Sequence, residues 1–138
     1  MRVMALDLGD ARTGIAFSDP MMIIANGYET YKRVNEEKDL KYVCDLAKEK
    51  DVGVIVIGLP INMDGTKGES VDKSVNFGNK LKELMPNMKI EYIDERLTTV
   101  SAERMLIDAD VRRDKRKQVI DKIAATIILE TYLNKVNK

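Results

Sequence analysis

Histidine is absent from this 138-residue chain, and cysteine occurs once, at Cys44. Without histidine no Ser-His or Cys-His nucleophile can be assembled, and ordinary zinc ligand sets are excluded. A lone cysteine forbids an intramolecular disulfide and fits a reducing compartment. Cys44 shares a helical face with Leu40, Val43 and Ala47, so packing is its expected role. Neither sign of charge is in excess: 23 Lys and Arg balance 23 Asp and Glu. Attraction to a polyanion must therefore come from a local cluster. No apolar run approaches the roughly 18 residues of a membrane span, and no basic-then-apolar segment opens the chain. Neither membrane insertion nor secretion is expected, and the expected location is the cytoplasm. Any chemistry falls to carboxylates.

What is present is the profile of an α/β domain: 44% hydrophobic residues, with strand-like and helix-like segments alternating. A single domain over 1–138 is expected, with no repeats and no linker. Residues 3–8 and 13–20 read as two strands around a short glycine turn, with Pro20 ending the second. Residues 21–31 read as a third, edge strand, in which Asn26-Gly27 marks a turn or a bulge. Helical spacing follows over 36–50, then a continuous β-branched strand over 52–58 and a Gly/Pro/Asn/Asp-rich loop over 59–68. A second helix over 69–85 ends at Pro86, and a strand over 89–94 leads to Thr98 or Thr99, either of which can cap a further helix. The last helix is expected from about Lys117 to Lys135. Three antiparallel strands joined to a βαβαβ unit give a mixed five-stranded sheet with helices on both faces.

Three acids stand where apolar residues are expected. Asp7 interrupts the first strand two residues before Gly9, and a carboxylate removed from water costs on the order of several kcal/mol unless cations or donors meet it. Asp121 shares a helical face with Ala124, Ala125, Ile128 and Tyr132, while Lys122, Thr126 and Glu130 make the opposite, wet face. Asp94 and Glu95 are adjacent at the end of a strand, so they point to opposite faces, and periodicity does not decide which one joins the others. Carboxylate oxygens without histidine or cysteine suit hard divalent ions, Mg²⁺ or Mn²⁺, which substrate phosphate oxygens commonly complete. That chemistry points to cleavage of phosphodiesters or phosphate anhydrides.

Four ordered blocks carry a resemblance. They are Asp7-Leu-Gly9 with Arg12-Thr-Gly14-Ile-Ala16 and Ser18-Asp19; Gly58-Leu-Pro60-Ile-Asn62-Met-Asp64-Gly65-Thr66; Asp94-Glu95-Arg96-Leu-Thr98-Thr99; and Asp121-Lys-Ile-Ala124-Ala125. Together they resemble the YqgF family, also called RuvX-like, over nearly the whole chain and least over 21–50. The resemblance implies a ribonuclease H-like fold, a cytoplasmic role in maturing the 5′ end of 16S ribosomal RNA, and kinship with Holliday-junction resolvases. By motif it implies Asp7, Glu95 and Asp121 as the metal-binding catalytic acids. Asp10-Ala11 departs from the small or hydroxyl residue and lysine often found there, which bears on the turn's phosphate contacts but not on the acids.

Arg12, Asn62 and Arg96 are candidates for substrate phosphates, each alternatively a structural salt bridge or loop hydrogen bond. The run from Arg112 and Arg113 to Lys117 either holds a nucleic-acid backbone or is a solvated loop and first helical turn. The expected function is a metal-dependent endonuclease on precursor ribosomal RNA. The alternatives are a DNA junction resolvase, for which a homodimer would be the working form, and a non-catalytic RNA-binding assembly factor. The glycine turn also resembles that of sugar kinases and actin-like ATPases, which need a second such domain that 138 residues do not accommodate.

Overall fold

The computed structural model describes residues 1–61, 64–95 and 113–137, with side chains on the last helix from Lys122 onward. Strand β1 (Arg2–Leu8) pairs antiparallel with β2 (Arg12–Ser18), which pairs antiparallel with β3 (Ala25–Lys32). After helix α1 (Glu36–Glu49), strand β4 (Val52–Leu59) lies parallel to β1. Helix α2 (Glu69–Leu84) then leads to β5 (Lys89–Asp94), parallel to β4. The strand order β3-β2-β1-β4-β5 is the expected mixed five-stranded sheet. A last helix, here α3 (Arg113–Val136), completes the described elements.

Period-two alternation divides the core by sheet face. Met4, Leu6, Ile15, Phe17, Ile55 and Ile57 pack against Leu40, Val43, Cys44 and Ala47 of α1 and Phe77 and Leu81 of α2. Val3, Ala5, Ala16, Val54, Val56 and Ile93 pack against Ala125, Ile128, Leu129, Tyr132 and Leu133 of α3. Both faces of the central strands are covered, which is why their sequences read as unbroken apolar runs. Small residues dominate the α3 contact: Ala5, Ala16, Ala124 and Ala125 are all within 2% of full burial. Cys44 is buried as expected, and that burial raises its thiol pKa.

Three local expectations are corrected. The third strand begins at Ala25 rather than Met21, because Asp19 Oδ1 accepts the amides of Ile23 and Ile24, both at 2.8 Å, and folds 19–24 into a tight loop with Met22 at φ 58°. The Ile24 amide, then that of Ile23, hold the Asp19 carboxyl below the ordinary range. Of the turn or bulge expected at Asn26-Gly27 the chain makes the bulge, as Ile15 faces Glu29 while Ala16 faces Gly27, leaving Tyr28 extra. Lys122 and Thr126 are not on a wet face but lie over Gly27, where a Cβ would stand 2.9 Å from Lys122 Cγ and 3.0 Å from Thr126 Oγ1. A lysine stem can cover such a gap while its ammonium stays in water. The last helix also starts a turn early, at Arg113, so the basic residues from there to Lys117 are already helical. The capping threonines Thr98 and Thr99 lie outside the described residues.

Helix α1 is anchored by more than its cap. Asn35 accepts the Lys38 amide, and the buried Asp39 accepts from the Val34 amide and Arg33 Nε, both at 3.0 Å. Burial pushes the Asp39 carboxyl up, but the Val34 amide, Arg33 and the Tyr31 hydroxyl together outweigh it and leave it below the ordinary range. A carboxyl lowered by folding stabilises the native state above its unfolded pKa of about 3.9, and that contribution disappears as pH falls through the folded value. An Asp39→Asn variant should therefore lose about 2–3 kcal/mol at pH 7, the scale of hydrogen bonds to a charged group. Denaturant melts from pH 7 down to pH 2 should show the deficit shrinking below about pH 4; a deficit independent of pH would mean that the carboxylate charge is irrelevant.

Candidate acidic active site

The site lies at the carboxyl end of β1 and β4, where open α/β sheets place ligands. Val3 and Ala5 face α3 while Met4, Leu6 and Leu8 face α1 and α2, so alternation sets the half-buried Asp7 on the α3 face. The ladder pairs Asp7 directly with Gly14 of β2. On the other side Leu6 is level with Ile57, which brings Asp7 level with Gly58 of β4 at the usual inter-strand spacing of about 4.8 Å. The carboxylate thus stands between two residues without side chains.

Glu95 resolves the ambiguity at the end of β5. It directly follows the strand and is only 7% exposed. A Cβ added at Gly58 would meet Glu95 Cγ at 2.7 Å, Glu95 Cδ at 2.8 Å and Ile128 Cδ1 at 2.5 Å. The Glu95 side chain therefore lies across the Gly58 backbone, on the face that carries Asp7 and beneath α3. Glu95, rather than Asp94, joins Asp7. Arg12 opens β2, and the alternation that sends Ala16 to the α3 face sends Arg12 and Gly14 there too, so a half-buried arginine borders the same site.

The remaining expected residues fall outside this picture. Asn62, Arg96 and Arg112 lie outside the described residues, and Arg113 and Asp121 are described by backbone only. Position 121 is one turn before Ala125 and two before Ile128, both on the buried stripe of α3. Among the described residues no three His, Cys, Asp or Glu side chains form a metal-binding group. The donors that are described, two carboxylates beside bare backbone, match the hard oxygen ligands that Mg²⁺ or Mn²⁺ requires. Past β4, Asp64 Oδ1 accepts the Thr66 amide at 2.9 Å and its hydroxyl at 2.7 Å.

Two residues that shape the site escape a reading based on charge: Gly14 and Gly58. Their signal was available, because an isolated glycine inside a strand marks close approach of another group.

The strand order β3-β2-β1-β4-β5, with acids at the carboxyl end of the central strands, is the arrangement of the ribonuclease H-like fold class. A family described as "RuvX: Holliday junction resolvase" matches residues 1–135. A protein of Clostridium botulinum (strain Alaska E43) named "Putative pre-16S rRNA nuclease" is 44% identical over 138 residues, covering all of both chains. One of the same name from Streptococcus thermophilus (strain LMD-9) is 49% identical over 99% of each. In structure, Thermus thermophilus RuvC in complex with a Holliday junction substrate superposes with a TM-score of 0.60 at 10% identity, over 98% of this chain and 96% of that one. The chain belongs to the RuvX family.

If Gly58 is the floor on which Glu95 rests, Gly58→Ala must displace Glu95 or Ile128. Overpacking of this kind typically costs about 1–3 kcal/mol. Thermal melts should show that loss together with nuclease activity reduced well beyond what the remaining folded fraction explains. Full activity in a folded Gly58→Ala protein would show that Glu95 needs no fixed position.

Proposed function

We propose that this chain, acting as a single domain over 1–138, is a divalent-metal-dependent endonuclease of the cytoplasm. Its substrate in this reading is precursor ribosomal RNA, cut in the maturation of the 5′ end of 16S rRNA. Asp7, Glu95 and Asp121 are the catalytic acids and the ligands of Mg²⁺ or Mn²⁺. The observation that carries the reading is the placement of Glu95 across Gly58 beside Asp7. The family relationship and the names of its relatives support the substrate class. No helix among the described residues is long and apolar enough to cross a membrane.

When bound, the divalent ion supplies an activated water and neutralises charge on the scissile phosphate. The protein's own part is positional. Glu95, nearly removed from solvent under α3, is fixed by packing, while Asp7 is held by the ladder at a point open toward substrate. Arg12 on the same face would position phosphates, and Asn62 and Arg96 are the further candidates for that role. The basic residues starting at Arg112 and Arg113 would track the backbone further out. A junction-resolving activity on DNA is the second reading, favoured by the family's description and by the fold shared with RuvC. Paired incisions across a junction call for a two-fold homodimer. Cleavage of a precursor RNA and of a four-way DNA junction, with solution mass measured in parallel, separates the two.

Asp7→Asn should abolish cleavage without unfolding the chain. Removing one like charge from an acid cluster relieves repulsion, so the metal-free melting temperature should hold or rise. A large fall would make Asp7 a structural residue. Glu95→Gln should also eliminate cleavage while leaving RNA binding; if wild type and variant both bind but neither cuts, an assembly factor is the better description. Replacing Arg112 and Arg113 together by alanine should flatten the salt dependence of RNA binding by roughly 0.7 per lost contact on a single strand, or about 0.9 on duplex DNA. Unchanged slopes would return these residues to a solvated surface.

A further inference from the structure

Behind the acidic site, on the opposite face of the sheet, one side chain reaches across to the turn that follows Asp7. The turn between β1 and β2 lies beyond the last ladder pair, Leu8 with Thr13. Within it the Gly9 amide donates to the Arg12 carbonyl at 2.9 Å, and a Cβ at Gly9 would stand 2.7 Å from that same oxygen. Two further bonds come from Arg33. Its main-chain amide donates to the Ala11 carbonyl at 3.0 Å, and its Nη1 donates to the Gly9 carbonyl at 2.9 Å.

Arg33 is itself immobilised. Its Nε donates to Asp39 Oδ2 at 3.0 Å, and its guanidinium lies 5.8 Å from the centre of the Phe77 ring. Asp39 is 3% exposed and Phe77 4%. Asp39 takes its second oxygen to the Val34 amide, and it belongs to the first turn of α1, whose apolar side is packed on the sheet. A chain of fixed contacts therefore runs from α1 through Asp39 and Arg33 to the carbonyl two residues past Asp7. An exposed glycine turn at the end of a strand is ordinarily the most mobile part of a hairpin, and here it is clamped from behind.

We propose that Arg33 and Asp39 are positioning residues of the nuclease: they hold the β1–β2 turn, and through it the Asp7 carboxylate, at the setting that meets Glu95. This rests on the reading of Asp7 as a metal-binding acid. Both act from the sheet face opposite Asp7 and Glu95. Arginine is required because one planar fork must serve a carbonyl on one side and a carboxylate on another, which lysine cannot do.

The test uses the full chain carrying Arg33→Gln or Arg33→Lys, with Asp7→Asn as reference and Lys41→Ala, an exposed residue of α1, as control. Mn²⁺ binding without nucleic acid is followed by electron paramagnetic resonance of the free ion. Cleavage kinetics use whichever of a precursor RNA or a four-way DNA junction the wild type cuts, and amide exchange is followed at Asp10, Ala11 and Arg12. Loss of groups that orient metal ligands costs about 10–100-fold in affinity or activity. Arg33→Gln is therefore expected to weaken Mn²⁺ binding about tenfold, lower kcat about 10–100-fold with KM within about twofold, and speed exchange in the turn. Arg33→Lys should fall between, and Lys41→Ala should match the wild type. A folded Arg33→Gln protein with wild-type Mn²⁺ affinity and kcat overturns the proposal, and if that variant does not fold, Arg33→Lys is judged by the same criterion. If instead Asp7→Asn retains Mn²⁺ binding and cleavage, it is the acid-site reading that fails, whatever Arg33 does.

Discussion

The structure depends on the parallel register of β1 beside β4. Leu6 stands level with Ile57, which leaves Asp7 level with Gly58. Placing a carboxylate at the end of a central strand costs on the order of several kcal/mol when neighbouring side chains strip its water without replacing it. Glycine on both adjacent strands removes that conflict and admits the Glu95 side chain across the gap. A slip of one residue would turn Asp7 toward Leu81 and Phe77 and bring Leu8 to the site. The buried alternation of Val3, Met4, Ala5 and Leu6, all at 0% exposure, makes such a slip prohibitive.

The two faces of the sheet divide the work. On one, large side chains from α1 and α2 fill the space over Met4, Leu6, Ile55 and Ile57. On the other, alanines at 5, 16, 124 and 125 bring α3 close to the backbone, so that Glu95 sits among fixed groups rather than water. Preorganised charge in a poorly hydrated site acts more strongly than the same charge in solvent.

Much of this was legible in the residues alone. The β-branched run ending at Gly58, the spacing of Leu40, Val43, Cys44 and Ala47, and the short loop between the first two strands each specify an element by local periodicity, and the topology followed from connection lengths. Asp7 and Glu95 were legible as interruptions of apolar pattern, while the side chain of Asp121 lies outside the described residues. Periodicity could not choose between Asp94 and Glu95, because that choice rests on a contact with the adjacent strand, at Gly58, beneath Ile128 of α3. Lys122 and Thr126 were misread for the same reason: a polar helix face counts as wet only until the helix crosses a glycine such as Gly27. The start of β3 was misplaced because apolar Met21, Met22, Ile23 and Ile24 look like strand, whereas one carboxylate, Asp19, captures two of their amides. The clamp formed by Arg33 and Asp39 joins distant turns and leaves no periodic trace.

The bulge at Tyr28 governs what the sheet's outer margin can do to other molecules. Strand β3 is an edge, and an edge of eight residues would ordinarily offer a template to any extended chain. The extra residue breaks the row of donors and acceptors near its middle and increases the local twist. An incoming strand would find matching partners for only two or three residues before its register failed. Fibril-like stacking and sheet-to-sheet fusion are thereby discouraged at this margin. At this margin a pairing of two copies would have to be built from helices or loops instead.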